Sequence, residues 1–216
     1  MHRRRTAIAL SAALAAAPLL TACGGTAHAG TAAVVGGQRI TVTQLEGRVD
    51  EVRTAQRAAA NDAQYEQVVA QTGSLTRNTL HALVLEQVLD RAAQDAGVTV
   101  DRGEVEQLRT LRERQVGGAA ALRTAMLQQY QVAPRRLDDN LRTDVQVQKL
   151  ATVIGADMGT EQGTALFWKA MSKASRELRV DINPRYGAWD MDKSSRVDAT
   201  TPWIREVTAP PAQQTT

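Results

Sequence analysis

Between Leu75 and Ala96 the apolar residues recur at helical spacing. Leu75, Leu80, Leu83, Val84, Val88 and Ala92 fall along one side of a 3.6-residue period. This is the most apolar stretch downstream of residue 23, so it belongs at the centre of a core with other helices packed around it. Gly97 follows it as a C′ residue, and Ser74 precedes it as a candidate N-cap. A chain with such a segment is mainly α, and the rest of the pattern agrees.

Thr43-Gln44-Leu45-Glu46 has the form of a capping box. It opens a predicted helix carrying Leu45, Val49, Val52 and Ala59, which runs to about residue 70 with a break near Asn61-Asp62. About thirty helical residues would span about 45 Å, which points to an extended shape. Asp101 to Glu104 gives a second cap, ahead of Val105, Leu108 and Leu111. After Gly117-Gly118 a short helix over 119–130 carries Leu122, Met126 and Leu127. Pro134 suits the first turn of a helix bearing Leu137, Leu141, Val145 and Leu150. A last helix over 161–176 carries Leu166, Phe167, Ala170 and Met171.

Two places break the helical pattern. Ala33-Val34-Val35, Gly36-Gly37 and Gln38–Val42 read as a short strand, a turn and a second extended segment. Leu178–Ile182 alternates with period two, and Asn183–Gly187 reads as a turn. The expected fold is mainly α: an extended multi-helix domain with a small two- or three-stranded element formed by N-terminal and C-terminal strands. Residues 191–216 are polar and end in TAPPAQQTT, so a disordered tail is expected there, with Trp203 the one residue able to dock back.

The first 23 residues read as an address. MHRRR is basic, TAIALSAALAAAPLL is an apolar run, and Leu20-Thr21-Ala22-Cys23 follows. This order defines a secretory signal, and the run is short of the ~20 apolar residues of a comfortable membrane span. Leu-Thr-Ala-Cys resembles the bacterial lipobox: an aliphatic residue, two small residues and a cysteine. The resemblance implies lipidation of Cys23, the only cysteine, and anchoring at the outer face of the cell membrane. Residues 1–22 are then the signal peptide and 23–32 a flexible tether. The chain carries 26 basic and 23 acidic residues. The leader holds Arg3, Arg4 and Arg5 and no acid, so removing it leaves a formal net charge of zero, since 26 − 3 = 23. That takes away the basic excess a nucleic-acid partner would need.

The order of elements resembles the N-terminal chaperone domain of SurA- and PrsA-type extracytoplasmic foldases. In that family a strand and turn close to V-N-G-x-x-I-T lead into a long helix. Val34-Val35-Gly36-Gly37-Gln38-Arg39-Ile40-Thr41 is similar, with Gly36 where Asn is usual. A Leu-rich helix ending in A-x-x-x-G matches Ala93–Gly97, and the capped helix at Asp101–Val105 follows. The resemblance covers about residues 33 to 190 and implies that Arg179–Ile182 returns to pair near the first strand. Family members often carry a parvulin prolyl isomerase before the last helix or strand. Here the corresponding joint, Leu150 to Glu161, is too short for a compact domain, and paired histidines are missing from it.

The functional expectation is a lipoprotein chaperone module that binds unfolded or secreted polypeptides without isomerase activity, needing no cofactor, metal or nucleic acid. Leu108, Leu111, Leu122, Met126 and Tyr130 form the candidate polypeptide-binding stripe, because Met and Tyr suit adaptable apolar recognition. The alternative is an envelope assembly or adaptor lipoprotein with one dedicated protein partner, bound through Tyr186, Trp189 and Trp203. An enzyme finds no support: there is no nucleophile–base pair, phosphate loop or metal set. His81 sits on the Leu-rich helix and reads as structural. Asp138, Asp139 and Asp144, beside Arg135, Arg136 and Arg142, read as ion-paired surface.

Overall fold

The computed structural model describes residues 29–198, and within them the chain first reverses at Gly36-Gly37. Strand β1 (Thr31–Val35) and strand β2 (Gln38–Thr41) flank this turn, pairing Val35 with Gln38 and Ala33 with Ile40. Both glycines have positive φ, +58° and +81°, the geometry that matches a two-residue hairpin turn to the twist of its strands. Seven helices follow: α1 (Val42–Ala59), α2 (Asp62–Gln71), α3 (Leu75–Asp95), α4 (Arg102–Val116), α5 (Ala119–Tyr130), α6 (Leu137–Val153) and α7 (Glu161–Leu178). The described residues close with β3 (Asp181–Ile182), β4 (Ala188–Asp190) and β5 (Ser195–Val197). Among the described residues no helix is long and apolar enough to cross a membrane.

Strand β3 returns to β1 and pairs antiparallel with it, Ala33 opposite Ile182, so the sheet order is β2-β1-β3. Asn183 reinforces the junction. Its backbone N–H donates to the Ala32 carbonyl at 2.9 Å and its Nδ2 to the Thr31 carbonyl at 3.0 Å. The inner faces of β1 and β2 (Ala33, Val35, Ile40) join α3 (Leu80, Val84, Val88), Leu45 of α1, Leu150 of α6, and Phe167 and Met171 of α7 in one core. Each fully buried Leu or Val there contributes about 1.5–3 kcal/mol. Two smaller clusters lie beyond it. Val52, Leu75, Leu127 and Ala133 join α1, α3 and α5, while Val105, Leu122, Leu137 and Leu141 join α4, α5 and α6.

Helix boundaries follow local chemistry. Asp101 and Glu104 form the expected reciprocal cap, at 2.9 Å in each direction. Helix α3 ends in a Schellman motif: Val98 N–H donates to the Ala93 carbonyl and Gly97 N–H to Gln94. The break after Ala59 is real, and Asn61 caps α2. Helix α2 buries no residue. It is held by Arg53 of α1, which donates to the Thr72 carbonyl at 3.0 Å, and by Arg57 over the Tyr65 ring at 4.3 Å.

Four expectations are corrected. The first cap is Thr41 with Gln44, not Thr43 with Glu46. Thr41 keeps the extended backbone of β2 (ψ 156°), the geometry a cap needs. Ser74 caps nothing, because its ψ is 1° and its hydroxyl accepts from Asn78 Nδ2 instead. The returning strand holds only Asp181–Ile182: α7 runs to Leu178 and Arg179 turns left-handed (φ 48°) to end it. Order also exceeds the expected domain limits of 33 and 190. Thr31 is already in β1, and β5 pairs Arg196 with Trp189 inside the expected tail. Residues 1–28, with Cys23, and residues 199–216, with Trp203, lie outside the described residues.

The hairpin turn is a point of low tolerance. A Cβ on Gly36 would stand 2.7 Å from Leu178 Cδ2, whereas Gly37 faces open space. Gly36→Ala and Gly37→Ala should each lower the unfolding free energy by about 1 kcal/mol or more for the left-handed backbone, with Gly36→Ala the costlier because the Leu178 side chain must also shift, measured by urea denaturation. Equal costs at the two positions would contradict this account.

Candidate functional site

Helix α3 has two working sides. Leu80, Val84 and Val88 face the core, while Asn78, Ala82, Leu85 and Glu86 line a groove of about 760 Å³. The facing wall is α6, through Asn140, Thr143 and Val147; its other side, Leu137 and Leu141, packs on α4 and α5. Gln146 Nε2 of α6 donates to Asp90 of α3 at 3.0 Å and ties the two walls together. One end of the groove is formed by Arg48, Glu51 and Val52 of α1 and by Met126 and Tyr130 of α5. The other end is formed by Phe167, Trp168 and Met171 of α7, with Met158 from the preceding loop. Its surface is largely apolar, and several apolar side chains at its mouth stay open to solvent: Tyr130 is 66% exposed, Met158 44% and Trp168 38%.

The expected binding stripe is split by this arrangement. Met126 and Tyr130 line the groove. Leu122 is a core residue at 3% exposure and closed to a ligand, while Leu108 packs partly buried beside it, outside the groove lining. Leu111 is exposed on α4, outside the groove lining. One helical turn separates Leu122 from Met126, and the difference is what covers them. The residues the pattern missed are Met158, Trp168 and the α3 and α6 faces. The signal for Trp168 lay in α7 itself, where it stands beside the buried stripe of Phe167 and Met171; the two adjacent rings meet edge to face at 5.8 Å.

The aromatic end is mostly sealed. Tyr186 is 8% exposed and belongs to the main core, which removes it from the expected partner surface. Trp189 is half-buried, and its Nε1 donates to Ser175 Oγ at 2.7 Å. Its ring lies 5.5 Å from His81, whose Nδ1 is buried without a partner. Burial, and secondarily Arg196, hold the His81 imidazole below its ordinary pKa. Among the described residues no group of His, Cys, Asp and Glu could hold a metal ion.

Charge at the groove is organised by Glu51. Arg136 forks onto this carboxylate, Nε to Oε2 at 2.8 Å and Nη2 to Oε1 at 3.1 Å, and Arg135 adds a third bond. Arg136 also binds Asp139 at 3.0 Å. The remaining α6 acids pair with α4: Asp138 with Arg109 at 3.0 Å and Asp144 with Arg112 at 3.6 Å. Arg142 instead donates to the Val100 carbonyl. Desolvation holds the Asp144 carboxyl above its usual value despite Arg112.

A model of the SurA-like N-terminal domain family matches residues 2–151, more than half of the chain. The match ends inside α6, so α7 and the three closing strands lie beyond it. No curated protein and no solved structure matches the chain.

Hydrogen bonds from Arg136 and then Arg135 pull the Glu51 carboxyl from its ordinary 4.5 to about 2, against burial. A depressed carboxylate stabilises the fold above its unfolded pKa and loses that contribution as pH falls through its folded one. Stability should therefore decline between about pH 4.5 and about pH 2. Solvent around Arg135, 66% exposed, screens part of the effect. Glu51→Gln should cost about 1–3 kcal/mol at neutral pH and flatten that acid limb, as read by urea denaturation across a pH series. An acid limb that is unchanged in the variant would contradict the assignment.

Proposed function

The chain belongs to the SurA-like N-terminal domain family, and from that premise we propose that it is an extracytoplasmic, membrane-anchored chaperone module that holds unfolded or partly folded secreted polypeptides in the α3–α6 groove. The observation that carries this reading is the groove itself: about 760 Å³, apolar along its walls, and rimmed by exposed Tyr130, Met158 and Trp168. Apolar residues of a client gain about 25 cal/mol for each Å² they remove from water. Met126 and Met158 offer flexible, polarisable side chains that accommodate different client shapes. Release then follows from modest affinity and from client folding, which buries the same apolar segments inside the client.

The reading assigns no catalytic step. Helices α6 and α7 are joined by residues 154–160 alone, at the joint where related foldases carry an isomerase domain. The membrane anchor rests on the Leu20-Thr21-Ala22-Cys23 sequence, with Cys23 as the lipidated residue.

Two experiments test the reading. The chain from residue 24 onward should suppress aggregation of a chemically unfolded model protein at near-stoichiometric ratio, compared with an inert protein of similar size. Tyr130→Ala combined with Trp168→Ala should weaken client binding about tenfold or more while leaving the melting temperature nearly unchanged, because both residues sit at the surface. Suppression no better than the control, alongside capture of one folded partner in fixed ratio, would replace the chaperone reading with the adaptor one. Separately, Cys23→Ser should move the exported protein from the membrane pellet to the soluble fraction; retention in the pellet would exclude a lipid anchor at that residue.

A further inference from the structure

Most charged side chains that line the groove already have partners. Glu51 is held by Arg135 and Arg136, Asp139 by Arg136, and Asp144 by Arg112. Glu86 differs. It projects from the groove side of α3, half-buried among Ala82, Leu83 and Leu89, and makes no hydrogen bond or ion pair among the described residues. The cations acting on it do so at longer range: Arg48 of α1, and Arg136, which is already committed to two carboxylates. Two further acids, Asp90 and Asp139, add negative charge around it, and burial pushes its carboxyl above the usual range.

A half-buried carboxylate in an apolar trough carries a desolvation cost that no hydrogen bond or ion pair offsets, and that Arg48 and Arg136 offset only at longer range. A client ammonium or guanidinium reaching it would form a charge-assisted hydrogen bond in a partly dry setting, where such bonds are strongest. The apolar stem of Lys or Arg can lie along the groove wall while its head meets the carboxylate. Apolar walls with one uncommitted anion thus complement an apolar segment that carries one cation.

Resting on the chaperone reading above, we propose that Glu86 is the specificity residue of the groove, which selects apolar polypeptide segments containing a lysine or arginine over neutral or acidic segments of equal apolarity. Arg48 is the internal competitor: it faces the same carboxylate and weakens the preference while it remains.

The test uses the chain from residue 24 to 216 and three fluorescent apolar peptides, identical except for a central Lys, Gln or Glu. The wild-type chain should bind the Lys peptide about tenfold tighter than the Gln peptide and the Glu peptide weakest, with the Lys advantage shrinking in high salt. Glu86→Gln should bring the Lys and Gln peptides to equal affinity. Arg48→Gln should widen the Lys advantage, a result that a merely structural role for Glu86 would not produce. Equal wild-type affinity for Lys and Gln peptides, or a preference that survives in Glu86→Gln, would overturn the proposal while leaving the groove reading intact. Binding of none of the three peptides would overturn the groove reading itself.

Discussion

Helix α3 is the member against which most of the molecule is assembled. Leu80, Val84 and Val88 contact the sheet side of the core, and residues a turn away form one wall of the groove. A helix can serve both purposes because side chains four apart share a face while those two apart do not. The core side makes the groove side rigid. Leu80, Val84 and Val88 are fully buried, so the backbone that presents Ala82 and Glu86 is fixed by packing rather than by the groove residues themselves. The closure of β3 on β1 completes this core, bringing Ile182 opposite Ala33 from the far end of the folded chain.

Much of this architecture was legible because it is encoded locally. Gly36-Gly37 marks a tight hairpin whatever surrounds it, Asp101 and Glu104 are three residues apart and satisfy each other, and Gly97 provides the left-handed residue of a Schellman end. The misplaced cap at α1 shows the limit of such signals. Thr41-Val42-Thr43-Gln44 and Thr43-Gln44-Leu45-Glu46 both have the right residues at the right spacing, and the choice falls to Thr41 because the pairing of β2 holds it extended. Arg179 shows the opposite case: a non-glycine residue takes the left-handed ending of α7, which no local composition announces.

The groove was only half legible for a related reason. Periodicity reports that a residue is apolar and which side of its helix it occupies. It does not report what packs on that side. Leu122 and Met126 lie on one stripe of α5, yet Val105, Leu137 and Leu141 enclose the first, while the second opens onto the space between α3 and α6. Those two helices are about sixty residues apart in sequence, and their separation in space depends on the whole core. Glu86 was invisible in the same way, since an isolated acid on a helix reads as solvated surface until its neighbours are known.

The groove is anchored unequally along its length. The α3 wall is continuous with the main core, whereas the end bearing Met126 and Tyr130 hangs from α5. Helix α5 is held by Leu127 in one four-residue cluster and Leu122 in another. Ion pairs from Arg109 and Arg112 fasten the adjoining α4 to α6, and these are partly exposed and individually worth little. Regions with few buried apolar contacts open at lower free-energy cost than the core they border. A site built from a fixed wall and a loosely held end can admit segments of different bulk without disturbing the fold, and the fixed α3 wall is the one that carries Glu86. Selection by charge and tolerance of shape would then reside in different parts of the same groove.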